Sequence, residues 1–191
     1  MALIRPLLLA LLVSACGAAT PAPKGAPLAG ALVVEGETGP VSLADLAGRA
    51  PYTVLLFFSG DCPVQKAHDA RLRELVAAFQ PKGVAFVAVA SETGADLARL
   101  RAELAKRSLA MPLVEDRGAK LADQLSVEYS THVTLLDRER HVLYSGGIDD
   151  ERSRLTEHPK PWLRTALEET VAGRAVTTAR TEPLGCPLSK H

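Results

Sequence analysis

Apolar residues follow two patterns along this chain: continuous β-rich runs, and apolar positions spaced by three or four within charged stretches. The continuous runs at 52–58 and 84–90 predict strands that are buried on both faces of a sheet, because such strands have no polar side. Between them, the apolar positions over 72–79 recur at helical spacing, and the Pro-Lys-Gly at 81–83 ends that helix. This half of the chain predicts a strand–helix–strand unit.

The second half continues the alternation of helix and strand. Leucines spaced over 97–109 predict another amphipathic helix. Short apolar runs at 133–136 and 141–144, separated by four charged residues, predict a β-hairpin, and a last helix over 162–171 closes at Gly173. The order of these elements predicts an α/β domain with a central mixed β-sheet flanked by helices.

The N-terminus has the pattern of an export signal. Arg5 precedes an apolar run at 7–13, which is too short to span a bilayer but fits the apolar region of a signal peptide. The Val-Ser-Ala at 13–15 followed by Cys16 resembles the bacterial lipobox, whose cysteine becomes lipidated and N-terminal after cleavage. An ordinary secretory signal with an incidental cysteine is the alternative. We expect residues 1–16 to form a lipoprotein signal peptide.

The resemblance to lipoproteins also predicts where the protein lies. Lipid on Cys16 would anchor it in the bacterial cell envelope, facing the periplasm, and Gly17 in place of an aspartate favours the outer membrane. Residues 17–30 are rich in alanine, glycine and proline and predict a flexible tether to this anchor. Residues 31–191 are expected to form the folded domain with a cysteine-containing tail.

Charge and cysteine content narrow the chemistry. Lysine plus arginine and aspartate plus glutamate number 22 each, so the net charge gives no reason to expect a nucleic-acid partner. If Cys16 carries lipid, two cysteines remain, Cys62 and Cys186. An exported protein lies in a compartment that permits disulfides, so these two cysteines have the opportunity to pair.

Cys62 lies between the first buried strand and the amphipathic helix that follows it. Pro63 suits the first helical position, where its missing N–H costs little. Unpaired N–H groups and the positive end of a helix dipole favour a thiolate at such a position. Asp61 has the opposite effect if its carboxylate faces the sulfur. A buried structural cysteine is the alternative, and position alone leaves both interpretations open.

Three short motifs occur in an order that resembles a known superfamily. They are Cys-Pro-Val at 62–64, Gly-Gly-Ile-Asp-Asp at 146–150 and Gly-Cys at 185–186. Together they resemble exported redoxins of the thioredoxin-like superfamily, related to alkyl hydroperoxide reductase and to TlpA-type thiol–disulfide proteins. The resemblance covers residues 31–188, and it implies a thioredoxin-like fold and a thiol oxidoreductase.

The same resemblance implies roles for individual residues. Cys62 would be the nucleophile, and Cys186, in a proline-bounded tail, would be the resolving thiol. Ser59 resembles the hydroxyl residue that peroxiredoxins place three positions before their cysteine, and it would hydrogen-bond the thiolate. The substrates would be protein thiols or disulfides, or a peroxide, and a reducing partner protein would complete the cycle. No cofactor is expected.

The chain also departs from its relatives near the predicted site. Gln65 stands where thioredoxin-type enzymes carry a second cysteine. The loop at 130–132 lacks the usual cis-proline, and Thr131 occupies the place where a peroxide-polarising arginine is expected. His132 in the same loop is a candidate neighbour that stabilises the Cys62 thiolate.

A non-enzymatic module with the thioredoxin fold is the rival hypothesis. In that case Cys62 and Cys186 form a stable disulfide, or Cys62 binds copper or zinc with His68 and His132. Sco-type copper chaperones share the fold, but they use a cysteine pair and a distal histidine. This chain lacks the pair and has Tyr129 about where that histidine would be. We therefore expect no metal.

Overall fold

The computed structural model describes residues 26–190. The predicted signal peptide, the lipidation site Cys16 and most of the tether predicted for 17–30 lie outside the described residues. At the start of the described residues, Leu28 contacts the domain: its N–H donates to the carbonyl of Arg140 at 3.0 Å. The Leu28 side chain also contacts the apolar core, so the last part of the predicted tether is attached to the domain.

A seven-stranded mixed sheet forms the centre of the described part of the chain. In spatial order the strands are β2 (Gly39–Ser42), β1 (Val33–Gly36), β5 (Leu113–Glu115), β4 (Val84–Ala90), β3 (Tyr52–Phe57), β6 (Val133–Asp137) and β7 (Val142–Gly146). β3 is parallel to β4 and β4 is parallel to β5, whereas the other neighbours are antiparallel. The mixed sheet and the hairpin that the sequence predicts are confirmed.

Six α-helices cover the two faces of this sheet in the described residues. They are α1 (Leu43–Gly48), α2 (Pro63–Ala67), α3 (Asp69–Phe79), α4 (Leu97–Lys106), α5 (Lys120–Gln124) and α6 (Trp162–Val171). Helices α3, α4 and α6 pack in one apolar core, and α1 and α5 pack in the other. No helix between residues 26 and 190 combines the length and apolarity needed to cross a bilayer.

β3 shows why the central strands are apolar throughout. Val54 and Leu56 pack in the core beneath α3, whereas Leu55 and Phe57 pack in the core beneath α1. All four side chains are at most 1% exposed, because alternate residues of a strand point to opposite faces. β3 is therefore an interior strand, between β4 and β6, and the loop that follows it starts from a rigid position.

The elements around this strand differ in detail from the sequence prediction. β3 ends at Phe57, and the helix predicted after Cys62 is divided into α2 and α3 at His68. His68 leaves helical geometry (φ −85°, ψ 1°), and its N–H donates to the carbonyl of Gln65, three residues earlier. α4 ends at Lys106, so the helix predicted for 97–109 is three residues shorter than expected.

The tail after α6 returns across the end of the sheet that carries Cys62. Arg180 forms a parallel bridge with Ser145 on β7, and Pro187 forms an antiparallel bridge with Tyr129. The first pairing holds the tail against β7, and the second holds it against the loop that precedes β6. Cys186 therefore lies at a fixed place beside this loop.

Candidate active site

Cys62 and Cys186, which are 124 residues apart in the sequence, form a disulfide in the structure. Their Cα atoms lie 5.8 Å apart, within the usual range for a disulfide. The fold thus brings together the two cysteines to which the family resemblance assigns the nucleophilic and resolving roles.

Cys62 is the residue that caps the N-terminus of α2. Its backbone is extended, and its Sγ accepts a hydrogen bond from the backbone N–H of Gln65 at 3.4 Å. Pro63 follows at the start of the helix, as the sequence predicts. Free N–H groups of a first helical turn stabilise negative charge on a nearby sulfur. Cys62 is 2% exposed and Cys186 is half-buried, so Cys186 is the more accessible of the two residues.

Gln65 occupies the position of a second cysteine and joins the strand to the helix. Its side chain is fully buried. Its Nε2 donates to the carbonyl of Phe57 at 2.9 Å, and its Oε1 accepts the N–H of Ser59 at 3.0 Å. The carboxamide therefore fixes the loop between β3 and Cys62, while its backbone N–H contacts the sulfur. Sequence reasoning recognised the missing cysteine but not this bracing role.

Replacing Gln65 by alanine is expected to lower the free energy of unfolding by about 3 kcal/mol, because two buried backbone groups lose a hydrogen bond and a cavity remains. Denaturant unfolding measures the change. Gln80→Ala is the matched control, since Gln80 is exposed and makes one long bond of 3.4 Å to Ala110. We expect that control to change stability by about 0.5 kcal/mol or less. Equal losses in the two variants would contradict the bracing role.

The loop before β6 holds the tail that carries Cys186. The Ser130 N–H donates to the Cys186 carbonyl at 2.9 Å, and the Cys186 N–H donates to the Ser130 hydroxyl at 3.2 Å. The Thr131 hydroxyl donates to the carbonyl of Leu184 at 2.8 Å. Gly185 lies directly against the Ser130 carbonyl, where a larger residue would displace the tail. The tail is thus docked by the backbone as well as by the disulfide.

Thr131 has an unusual backbone at the position of the missing cis-proline. Its φ is +69°, a region that β-branched residues rarely adopt, and no cis peptide bond occurs in residues 26–190. Its N–H donates to the Phe57 carbonyl at 3.1 Å, which connects the loop to the end of β3. Because its hydroxyl contacts carbonyl oxygens, Thr131 orders the tail and contributes no positive charge.

Ser59 and Asp61 lie in the loop that leads to Cys62. Ser59 is buried, and within the described residues no hydrogen bond joins its hydroxyl to the Cys62 sulfur of the disulfide. Its predicted bond to the reduced thiolate stays a prediction. The Asp61 carboxylate forms an ion pair with Arg99 at 3.0 Å, which lowers the pKa of Asp61. This pairing reduces the unfavourable effect of Asp61 on a nearby thiolate.

The contacts of His132 are with Ser145 on β7 and Phe57 on β3. Its Nε2 is 2.8 Å from the Ser145 hydroxyl, and its ring packs edge-on against Phe57. Burial, together with the positive charge of Arg180, lowers the pKa of His132 to about 4. The ring is therefore neutral at neutral pH and does not supply the positive charge that would stabilise the Cys62 thiolate.

The buried His132 predicts acid sensitivity. Its pKa falls from 6.5 in the unfolded chain to about 4 in the fold, so only the unfolded state binds a proton between those values. Stability is therefore retained above pH 6.5 and decreases by about 3 kcal/mol as the pH falls to 4. Denaturant unfolding across this range should show a flatter pH profile for His132→Gln. The exposed His158→Gln should retain the wild-type slope, and identical slopes for all three proteins would contradict the assignment.

The metal set considered from the sequence does not assemble. Both ring nitrogens of His68 are engaged, Nδ1 with the Val64 carbonyl at 2.8 Å and Nε2 with Asp149 at 3.1 Å. His132 Nε2 is engaged with the Ser145 hydroxyl, whereas its buried Nδ1 has no hydrogen-bond partner in the described part of the chain. Among residues 26–190, the ligand atoms of Cys62, His68 and His132 do not lie close enough together to hold one metal ion.

Comparison with solved structures identifies the fold. An uncharacterised protein from Sinorhizobium meliloti is 23% identical with a TM-score of 0.76, covering 90% of this chain and 97% of that one. One from Geobacillus kaustophilus is 23% identical with a TM-score of 0.75, covering 87% and 91%. A candidate thiol:disulfide interchange protein DsbE from Chlorobium tepidum is 21% identical with a TM-score of 0.54, covering 74% and 90%. No curated protein matches the chain.

A mixed sheet with a cysteine at the start of the helix after its central strand defines a thioredoxin-like protein. The AhpC/TSA family model matches residues 24–145, and the chain belongs to this family. The predicted thioredoxin-like fold and the superfamily are confirmed. Cys62 lies within the matched segment, whereas Cys186 and its tail lie beyond it.

Proposed function

We propose that this protein is an exported, lipid-anchored thiol oxidoreductase in which Cys62 is the nucleophile and Cys186 is the resolving thiol. Family membership supports a redox function in general. The observation that carries the specific proposal is the disulfide between these residues at the N-terminus of α2. A pair so placed has one sulfur set to act as a thiolate and a second sulfur close enough to displace the first adduct.

The proposed cycle transfers two electrons. The Cys62 thiolate attacks one sulfur of a protein disulfide, forms a mixed disulfide and releases the other sulfur as a thiolate. Cys186 then attacks Cys62, which releases the second substrate thiol and leaves the Cys62–Cys186 disulfide. With a peroxide, the first step instead gives a Cys62 sulfenic acid and an alcohol, and the second step releases water. A reducing partner dithiol restores both thiols and is itself oxidised to a disulfide.

Redox titration of the folded protein tests this proposal. The full chain is equilibrated in buffers of reduced and oxidised glutathione, alkylated and analysed by mass spectrometry, while circular dichroism monitors the fold. The proposal expects the Cys62–Cys186 pair to change redox state reversibly without unfolding. A pair that stays oxidised under strong thiol reductant until the protein unfolds would overturn it.

The second candidate is a thioredoxin-fold module with a permanent disulfide. It is favoured by the burial of Cys62, which is 2% exposed, and by the direct backbone docking of the tail. Stopped-flow mixing of the reduced protein with hydrogen peroxide or glutathione disulfide separates the two candidates. The enzyme should react faster than free cysteine with one of these oxidants, whereas the module should react more slowly than free cysteine with both.

We propose lipidation of Cys16 and a location in the cell envelope on the strength of the lipobox-like sequence. Mass spectrometry of the N-terminal peptide should find a diacylglyceryl group on Cys16. The Cys16→Ser variant should be absent from the membrane fraction, because it has no cysteine to carry the lipid. An unmodified mature N-terminus at another residue would contradict the anchor without affecting the thiol chemistry.

A further inference from the structure

One loop contacts the segments of both cysteines. This loop, residues 147–152, contains part of the Gly-Gly-Ile-Asp-Asp motif that follows β7. Its Gly147 N–H donates to the Thr181 hydroxyl at 3.1 Å, and its Arg152 guanidinium donates to the Gly185 carbonyl at 3.3 Å. Both acceptors lie on the tail that carries Cys186. The same loop reaches the helices after Cys62 through a buried carboxylate.

That carboxylate belongs to Asp149, which is 3% exposed. It accepts a hydrogen bond from His68 Nε2 at 3.1 Å and one from Arg71 at 2.5 Å. It also accepts the N–H of Glu151 at 3.0 Å, and Glu151 forms an ion pair with Arg71 at 2.7 Å. Although burial opposes ionisation, these bonds hold the pKa of Asp149 below its ordinary value. Asp149 is therefore an anion in the fold.

The contacts of His68 define its charge. Its Nδ1 is 2.8 Å from the Val64 carbonyl and its Nε2 is 3.1 Å from the Asp149 carboxylate. A carbonyl and an ionised carboxylate only accept hydrogen bonds, so both ring nitrogens donate and the ring is an imidazolium. Burial alone would lower the pKa of His68, but the bonds to Asp149 and Val64 outweigh burial and raise it.

This imidazolium lies at the C-terminal end of α2, and Cys62 lies at the other end. The backbone N–H of His68 donates to the Gln65 carbonyl and is not available to the Val64 carbonyl. The side chain of His68 donates to the Val64 carbonyl instead, through Nδ1. The cation also complements the negative end of the helix dipole. A helix of five residues is about 7.5 Å long, a distance over which a buried charge still affects a thiol.

We propose that His68 and Asp149 are positioning residues that hold α2 as the support of Cys62 and favour its thiolate in the reduced protein. This inference rests on the proposed redox function of Cys62. The charged groups that face His68 are Asp149 and Arg71, with Glu151 paired to Arg71 behind them. Removing the imidazolium leaves Asp149 paired with Arg71, so the field at Cys62 becomes less positive.

His68→Gln in the full chain tests the inference. The rate of iodoacetamide alkylation of Cys62 in the reduced protein is measured against pH by peptide mass spectrometry. We expect the midpoint of the profile to rise by about 0.5 to 1 unit relative to the wild type. The matched control is His141→Gln, which breaks another His–Asp pair, with Asp137 at 3.0 Å, on the β6–β7 hairpin. That variant should have the wild-type midpoint.

A second measurement needs no substitution and decides the question if His68→Gln fails to fold. Nitrogen-15 NMR of the reduced wild-type protein should find the His68 ring doubly protonated at pH 7. A neutral ring, or a folded His68→Gln with an unchanged midpoint, would overturn the inference. If the alkylation midpoint of Cys62 in the wild type equals that of an ordinary free thiol, the result counts against the proposed function. The inference about His68 is tested separately, by the difference in midpoint between the variant and the wild type.

Discussion

Serine in place of Cys62 is expected to abolish turnover, whereas serine in place of Cys186 is expected to stop the reaction after its first step. The two sulfurs differ in their surroundings. Cys62 Sγ accepts the Gln65 N–H, and no hydrogen bond to the Cys186 sulfur occurs in the described part of the chain. A helix N-terminus increases the thiolate fraction at neutral pH, although each thiolate is then a weaker nucleophile. The rate gain is therefore smaller than the gain in thiolate population.

Glutathione disulfide is a suitable probe of this asymmetry. Reduced Cys186→Ser should form a glutathione adduct on Cys62 that persists, because no second thiol displaces it. Reduced Cys62→Ser should form its adduct on Cys186 at least about tenfold more slowly, because a smaller fraction of Cys186 is thiolate at neutral pH. Mass spectrometry of peptides at successive times measures both rates. Equal rates in the two variants would contradict the assignment of Cys62 as the nucleophile.

The parts of the fold that the sequence predicts are those with long, regular patterns. The runs at 52–58 and 84–90 became β3 and β4, because strands buried on both faces need apolar residues throughout. The strands β1, β2 and β5 are three or four residues long and were not predicted, since a pattern needs more positions to be recognised. The same holds for α5, which has five residues.

The candidate site divides in a similar way. The position of Cys62 follows from local order along the chain, because a strand that ends before a Pro-initiated helix places the cysteine at the helix N-terminus. The cluster around Asp149 depends on contacts across 81 residues to His68 and 78 residues to Arg71. No local periodicity encodes such contacts. The motif at 146–150 therefore indicates a resemblance to a family, but it does not predict the contacts of Asp149 with His68 and Arg71. Gln65 was likewise recognised only as a missing cysteine.

Reduction of the Cys62–Cys186 disulfide is expected to lower the free energy of unfolding by about 5 kcal/mol in the chain-entropy account. The disulfide closes a segment of 124 residues, and a long closed segment strongly restricts the unfolded chain. Denaturant unfolding of the oxidised and reduced proteins measures the difference. Cys186→Ser should have about the stability of the reduced protein, since neither has the covalent link.

Bonds that are independent of the disulfide limit what reduction does to the folded state. The Ser130 N–H donates to the Cys186 carbonyl, and the Cys186 N–H donates to the Ser130 hydroxyl. Lys190 forms ion pairs with Asp123 at 2.8 Å and with Glu128 at 2.9 Å. The tail should therefore remain docked after reduction, with Cys186 held near Cys62. Protection of the tail amides from hydrogen exchange in the reduced protein would support this, and loss of that protection would show that the disulfide alone holds the tail.

Stability and redox potential are then two measurements of one quantity. By thermodynamic linkage, the free energy with which the disulfide stabilises the fold equals the free energy with which the fold favours the disulfide. About 5 kcal/mol corresponds to a potential roughly 100 mV lower in the folded protein than in the unfolded chain. Titrating the Cys62–Cys186 pair in glutathione buffers, with and without denaturant, measures this shift. A shift that differs clearly from the measured stability difference would contradict a two-state link between folding and the redox state of this pair.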